Sequence, residues 1–395
     1  MYHTAHTIRL QDGTLFNFRR RIKKQAATLL SALTGVIDGR SSQGKRHPIE
    51  NVLFLLFCAI ISGCTNITDC WKWARHNRKF LKRHIEMPHG IAHPTTISYV
   101  LQLCDAGSLI VAWNTWRRTV YGLEKDVVAS MDGKTMRGVQ GKDVIRHMLS
   151  LFTHETHLTI GQIGVSVKEN EIPAALRLFE QTSIAGMLLI ADALHTQKET
   201  IKAIRSRHAD YLLIVKENQQ ELSGALRMVF IDSRLNTNTA TDSQYTRGRS
   251  IETMVTLTHD PDICGYISSL GWKDVRHVGR IKRCGTRTVH GETKTINETV
   301  YYISSRTDLT VQQAMHIIRG HWKIENNLHW QKDYTYDEDH QTVRLGNAPQ
   351  VMTFLRSMAI SLFKLFSFVS VTNAVTDFRM SPALHYRFLT LASVV

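Results

Sequence analysis

The chain has 395 residues, 43% of them hydrophobic and 21% charged, a composition that excludes a largely disordered protein and leaves room for two or three domains. Its longest apolar run, Val52 to Ser62, is too short for a hydrocarbon layer of about 30 Å, and the apolar stretch Met358 to Val371 is short as well and carries Lys364, so no membrane protein is expected. Forty-nine Lys and Arg against 34 Asp and Glu give +15, of which residues 1–125 alone carry +11.

A basic N-terminal third points to a polyanion, and nucleic acid is the commonest one. The first twenty residues lack the apolar core of a signal peptide, so a cytoplasmic location is expected. The six cysteines (58, 64, 70, 104, 264 and 284) form no CxxC pair and read as small apolar residues. His154 and His157 have no second pair at finger spacing, which argues against zinc.

Residues 1–45 open polar, with the cluster Arg19-Arg20-Arg21-Ile22-Lys23-Lys24. Pro48 to Ser62 reads as a buried helix, and Thr68 to His84 as a helix carrying Trp71 and Trp73 among basic residues. Pro94-Thr95-Thr96 starts another, with proline where a first helical turn tolerates it. Residues 1–125 are therefore expected to form a helical, basic DNA-binding domain.

The periodicity changes near residue 125. Asp126 to Met131 is a short apolar run ending at Asp132-Gly133. His147 to Thr153 and Leu158 to Val165 have strand length, with a turn at His154-Glu155-Thr156. Ala174 to Ile184 reads as helix, Met187 to Ala191 as a strand buried on both faces, Lys198 to His208 as helix and Tyr211 to Val215 as a second buried strand. Three strands, helix, strand, helix, strand is the order of an RNase H-like fold, a mixed sheet flanked by helices. The next convincing helix is Val311 to Trp330. The Thr-rich interval before it, with strand-like runs at Met254 to Thr258 and Thr299 to Ile303, reads as a β-rich insertion. The expected layout is a catalytic core over 126–218, the insertion over 219–305, and the rest of the core with C-terminal helices over 306–395.

In that strand order Asp132 and Asp192 project from neighbouring strand ends at the sheet centre. Holding two divalent ions while leaving room for phosphate and water needs a third carboxylate, and Glu325 is the candidate. On one continuous helix, at ~100° per residue, His321, Glu325, His329 and Lys332 fall within roughly an 80° arc. An all-oxygen site favours Mg or Mn over Zn. Each acid also has a structural reading: Asp132-Gly133 as a turn, Asp192 as a helix cap, Glu325 as a surface ion pair.

The blocks Met131-Asp132-Gly133-Lys134-Thr135-Met136-Arg137, Ala191 to Lys198, Asp210 to Gln219 and His321 to Asp333 resemble the H-repeat-associated insertion-sequence transposases, DDE transposases with an RNase H-like core. The resemblance covers nearly the whole chain, through Gly161-Gln162-Ile163, Tyr301 to Ser305 and Arg344 to Ala348. It implies that Asp132, Asp192 and Glu325 are the catalytic, metal-holding triad, with Mg as cofactor and Mn able to substitute. Many relatives carry a Tyr, Arg, Glu, Lys signature on the last core helix. Here Ile318 and His321 stand at the Tyr and Arg positions, while Glu325 and Lys332 keep their spacing.

The resemblance thus puts phosphate grip on His321, Lys332 and Arg319; beside it, Lys134 and Arg137 read as DNA-backbone contacts and Trp322 or Trp330 as a base-stacking residue, a buried core tryptophan being the commoner reading. It further implies double-stranded DNA as partner, both element ends and target, and a homodimer when two ends are synapsed. Cleavage at the ends and strand transfer into a target would follow. A same-fold nuclease that cuts without joining, and a DNA-binding relic, remain the alternatives, since cutting and joining use the same carboxylates.

Overall fold

A computed structural model describes residues 7–9, 15–17, 29–43, 45–121, 127–138, 145, 147–166, 169–232, 234–246, 248–289, 292–366 and 368–381. The basic cluster at 19–24 lies outside these residues. The chain divides into two compact units: one is 1–124, 133–170 and 325–395, the other 125–132 and 171–324. The strands, in chain order, are β1 (Thr7–Arg9), β2 (Leu15–Asn17), β3 (Val128–Thr135), β4 (His147–Thr153), β5 (Thr159–Val165), β6 (Leu188–Ala191), β7 (Asp210–Val215), β8 (Asn238–Thr246), β9 (Arg249–Thr258), β10 (His277–Val289) and β11 (Glu292–Ser304).

The first unit is largely helical. Helix Ile49–Ile61 starts after Pro48 and is apolar all round, and Val52 to Ile61 are 3% exposed or less. Such a helix needs neighbours on every side, and it packs against helices Ile67–His76 and Ala348–Leu365. The expected helix over 68–84 is two: Ile67–His76, capped by the Asn66 side chain, and Arg78–Leu81. Pro94 does open a helix, Pro94–Leu103. Helix Ala348–Leu365 is buried through Phe363 and carries polar side chains inward, among them Thr353, Arg356, Ser357 and Ser361, which hydrogen-bond. Ser361 Oγ accepts from the Thr159 N–H at 3.0 Å, and Ser357 Oγ donates to Gln162 Oε1 at 3.2 Å. These bonds hold the helix on β5, which pairs antiparallel with β4.

The second unit is built on a mixed sheet in the order β3-β6-β7-β11-β10-β9-β8. β3, β6 and β7 run parallel, and the remaining pairs are antiparallel. Its core gathers Ile190, Leu212, Val255, Ile281 and Tyr302 from the sheet with Ile317 and Ile318 from helix Val311–His321. Thr310 and Gln313 close a reciprocal capping box on that helix, which supplies partners for N–H groups its first turn leaves open.

Three further elements differ from the sequence reading. β3 continues through Asp132 to Thr135, so Asp132 lies within a strand that does not stop at Asp132-Gly133. The interval before Val311 contains two helices, Gln220–Val229 and Pro261–Ser269, beside its long strands. The helix expected over 311–330 stops at His321; a π-helix follows at Glu325–His329 and an α-helix at Trp330–Tyr336. A π turn inserts a residue into the helical repeat, so the single-face arithmetic for His321, Glu325, His329 and Lys332 does not hold. No described helix is long and apolar enough to cross a membrane.

Candidate active site

Parallel pairing aligns Met131 of β3 with Ala191 of β6. Asp132, inside β3, and Asp192, just past the carboxyl end of β6, come next along these neighbouring strands. Open α/β sheets bind ligands at that edge. Asp192 is exposed, and its Oδ1 accepts from the Leu194 N–H at 3.1 Å, capping the short 3₁₀ turn Ala193–His195. Its expected structural role is therefore real.

The same turn buries His195, 1% exposed, whose Nε2 lies 2.9 Å from Glu171 Oε2. Glu171 accepts from Nε2–H, and Nδ1 is enclosed without a hydrogen-bond partner. His321 is the second imidazole here. Burial pulls its pKa down to about 4, against the attraction of Asp192 and helped by His195. A neutral imidazole donates one hydrogen bond but brings no charge to a phosphate.

Asp132 and Asp192 offer hard oxygen donors of the kind Mg and Mn take. Among the described residues, no three or more His, Cys, Asp or Glu side chains are assembled as a ligand set. The structure thus aligns the first two acids. Glu325 stands exposed at the first position of the π-helix.

The expected DNA contacts fall in varied surroundings. Arg319 is ion-paired with Asp242 of β8, and the Arg283 guanidinium lies 4.4 Å from the centre of the Trp322 ring. Arg137 is 81% exposed, with Asp339 at 3.8 Å. Lys134 is 9% exposed, its Nζ 2.6 Å from Asp333 Oδ1, 3.4 Å from Asp339 Oδ1 and 3.7 Å from Glu338 Oε2. Lys332 is fully enclosed and its Nζ makes no hydrogen bond, so phosphate reaches it only after the surroundings open. Burial lowers its pKa to about 8 despite the Glu338 carboxylate nearby.

Sequence reasoning passed over the centre of this last group. Glu338 and Arg356 are both wholly buried, joined by an Nη1–Oε1 hydrogen bond of 3.1 Å. Glu171 and His195 were passed over as well. Nothing in the spacing of these residues marks them, because their partners lie far away in the chain.

The chain matches the model of the transposase DDE domain over residues 123–362, and a domain associated with it over 30–117. Similar curated proteins include "H repeat-associated putative transposase YhhI" of Escherichia coli K12, 29% identical over 85% of this chain and 89% of its own length. "Putative transposase YncI" of E. coli O157:H7 is 28% identical over 85% and 87%, and "Putative protein YbfL" of E. coli K12 is 30% identical over 85% and 89%. The chain belongs to the H-repeat-associated transposases of the DDE class, whose catalytic domain has the RNase H-like fold. It is therefore a transposase, an enzyme of a family that binds DNA and uses divalent metal ions.

Proposed function

We propose that the protein cuts phosphodiester bonds at the ends of its own insertion sequence and joins the freed ends to target DNA. The observation that carries this reading is the aligned pair Asp132 and Asp192 on adjacent parallel strands. With Glu325 they would hold the divalent ions, Mg with Mn as a substitute. Such ions polarise phosphoryl oxygens and stabilise the charge of an in-line displacement.

The chain's own residues orient the reacting groups. Attack of water on the scissile phosphorus forms one P–O bond and breaks the bond to the 3′ oxygen, which leaves as a 3′-hydroxyl. That hydroxyl then attacks a target phosphodiester and displaces the target's own 3′ oxygen, so no covalent protein intermediate is needed. His321, neutral at working pH, donates a hydrogen bond to phosphate. Arg137 supplies charge for the DNA backbone, and Arg319, Lys134, Lys332 and Trp322 lend support from partnered or enclosed positions. The residues before 125 add affinity through their charge. The enzyme works in the cytoplasm, and a homodimer brings two ends together.

The test incubates purified protein with labelled DNA carrying the element ends, in Mg or Mn, beside Asp192→Ala. Metal-dependent cutting at the ends, lost in the variant, supports the reading, and strand-transfer products separate it from a plain nuclease. Tight binding without cutting in either metal overturns the catalytic claim and leaves a DNA-binding relic.

A further inference from the structure

The strand that carries Asp132 ends in a segment fastened to the chain that follows Glu325. Lys134, two residues beyond Asp132, puts its ammonium 2.6 Å from Asp333 and within 3.7 Å of both Asp339 and Glu338. Glu338 is the hub: Oε1 accepts from Thr353 Oγ1 at 2.9 Å and from Arg356 Nη1 at 3.1 Å. Arg356 also donates to Gln341 Oε1 and to the Thr65 carbonyl, both at 2.9 Å, reaching the N-terminal helices.

A second, independent contact ties the same two segments. A Cβ on Gly138 would lie 2.6 Å from the Asp339 carbonyl oxygen and 2.8 Å from the Gln341 nitrogen. The position is closed to side chains by backbone proximity alone, at no positive φ.

Burying Lys134, Arg356 and Glu338 is expensive, and hydrophobic residues of similar volume would often serve stability as well. Position-specific geometry is what such a cluster supplies. We infer that Lys134, Asp333 and Glu338, with the close approach at Gly138, are positioning residues that set the backbone leaving Asp132 against the backbone leaving Glu325. A metal ligand is placed only as well as the backbone that carries it, because misplacement by a few tenths of an ångström lowers affinity. The inference rests on the proposed roles of Asp132 and Glu325.

The test uses the full chain and two variants, Asp333→Asn and Gly138→Ala. Asp333 is 37% exposed, so its variant removes the shortest Lys134 contact without emptying the core. Uptake of Mn is followed by loss of the free-ion electron paramagnetic resonance signal, beside thermal melting, DNA binding and cleavage of element ends. Asp232→Asn, which breaks an exposed pair with Arg234, is the control.

The expected result for Asp333→Asn is Mn affinity and cleavage lower by about tenfold, with melting and DNA binding as in the wild type, and recovery in Asp333→Glu. A folded Asp333→Asn chain that binds Mn and cuts like the wild type overturns the inference while leaving the transposase reading intact. So does a loss of melting temperature with Mn affinity unchanged, which is what a merely structural role gives. A wild type that neither takes up Mn nor cuts overturns the reading on which the inference rests. If Gly138→Ala does not fold, Asp333→Asn decides alone.

Discussion

Two groups of carboxylates in this protein are treated in opposite ways. Asp192 and Glu325 are exposed, at a strand end and at the start of a π-helix, where an ionised carboxylate costs little and keeps lone pairs for a ligand. Glu338 is sealed, with Thr353 and Arg356 on one oxygen and Lys134 near the other. Burial alone would raise its pKa, but the Lys332, Arg356 and Lys134 charges hold it below the ordinary value. The exposed carboxylates stay open to an incoming ion, whereas Glu338 is enclosed by cations that fix the backbone around it.

The contrast breaks first at Asp192. Asp192→Asn should lower end cleavage by at least about 10³-fold while melting and DNA binding stay near wild type, because it removes a ligand charge and no core packing. Loss of folding on that substitution would place Asp192 with the structural carboxylates. The reverse holds inside: Arg356→Met should cost about 3–5 kcal/mol in denaturant unfolding, since Glu338 is left buried with less compensation. The double variant with Glu338→Gln should recover part of that cost, a coupling that only a direct pair produces.

The two strand-borne aspartates were the legible ones. Asp132 and Asp192 each follow a short apolar run, and strand order then makes them neighbours. Helix starts were readable where local chemistry marks them, as at Pro94 after His93. The Asp260-Pro261 pair was an equal signal, with Asp260 capping the helix Pro261–Ser269, but it was submerged in a Thr-rich stretch read as strand. The break at Glu325 was not readable, because one inserted residue in a single turn is too short a departure to change the visible apolar period. Nor was the Glu338 cluster: its hydrogen bonds join residues 15 to 18 apart, and its tie to Lys134 spans about two hundred positions. Pairing across such distances leaves no periodic trace.

Lys332 sharpens the comparison from the cation side. Its folded pKa, about 8, lies below the ordinary lysine value, so the unfolded chain binds more protons between the two. Stability contributed at this position therefore rises as pH climbs from about 8 towards 10.5, and the penalty is full at pH 7. Lys332→Met should stabilise the fold at neutral pH by about 1–2 kcal/mol, with the gain shrinking above pH 8. Denaturant unfolding at pH 7 and pH 9.5 checks both halves. A gain that is equal at the two pH values would mean packing, and not the buried charge, is what the substitution changed.

The smallest effect belongs to Arg137, which touches both groups in sequence and neither in burial. It lies five residues beyond Asp132 and is 81% exposed, with a 3.8 Å approach to Asp339 that solvent screens. A surface arginine of this kind adds to DNA affinity through one phosphate. Arg137→Ala should then weaken binding to all sequences alike and reduce the slope of log affinity against log salt by about 0.9. Stability should change by no more than about 0.5 kcal/mol. If affinity fell for element ends but not for unrelated DNA, Arg137 would be reading sequence or shape, and the exposed side of the molecule would hold recognition as well as charge.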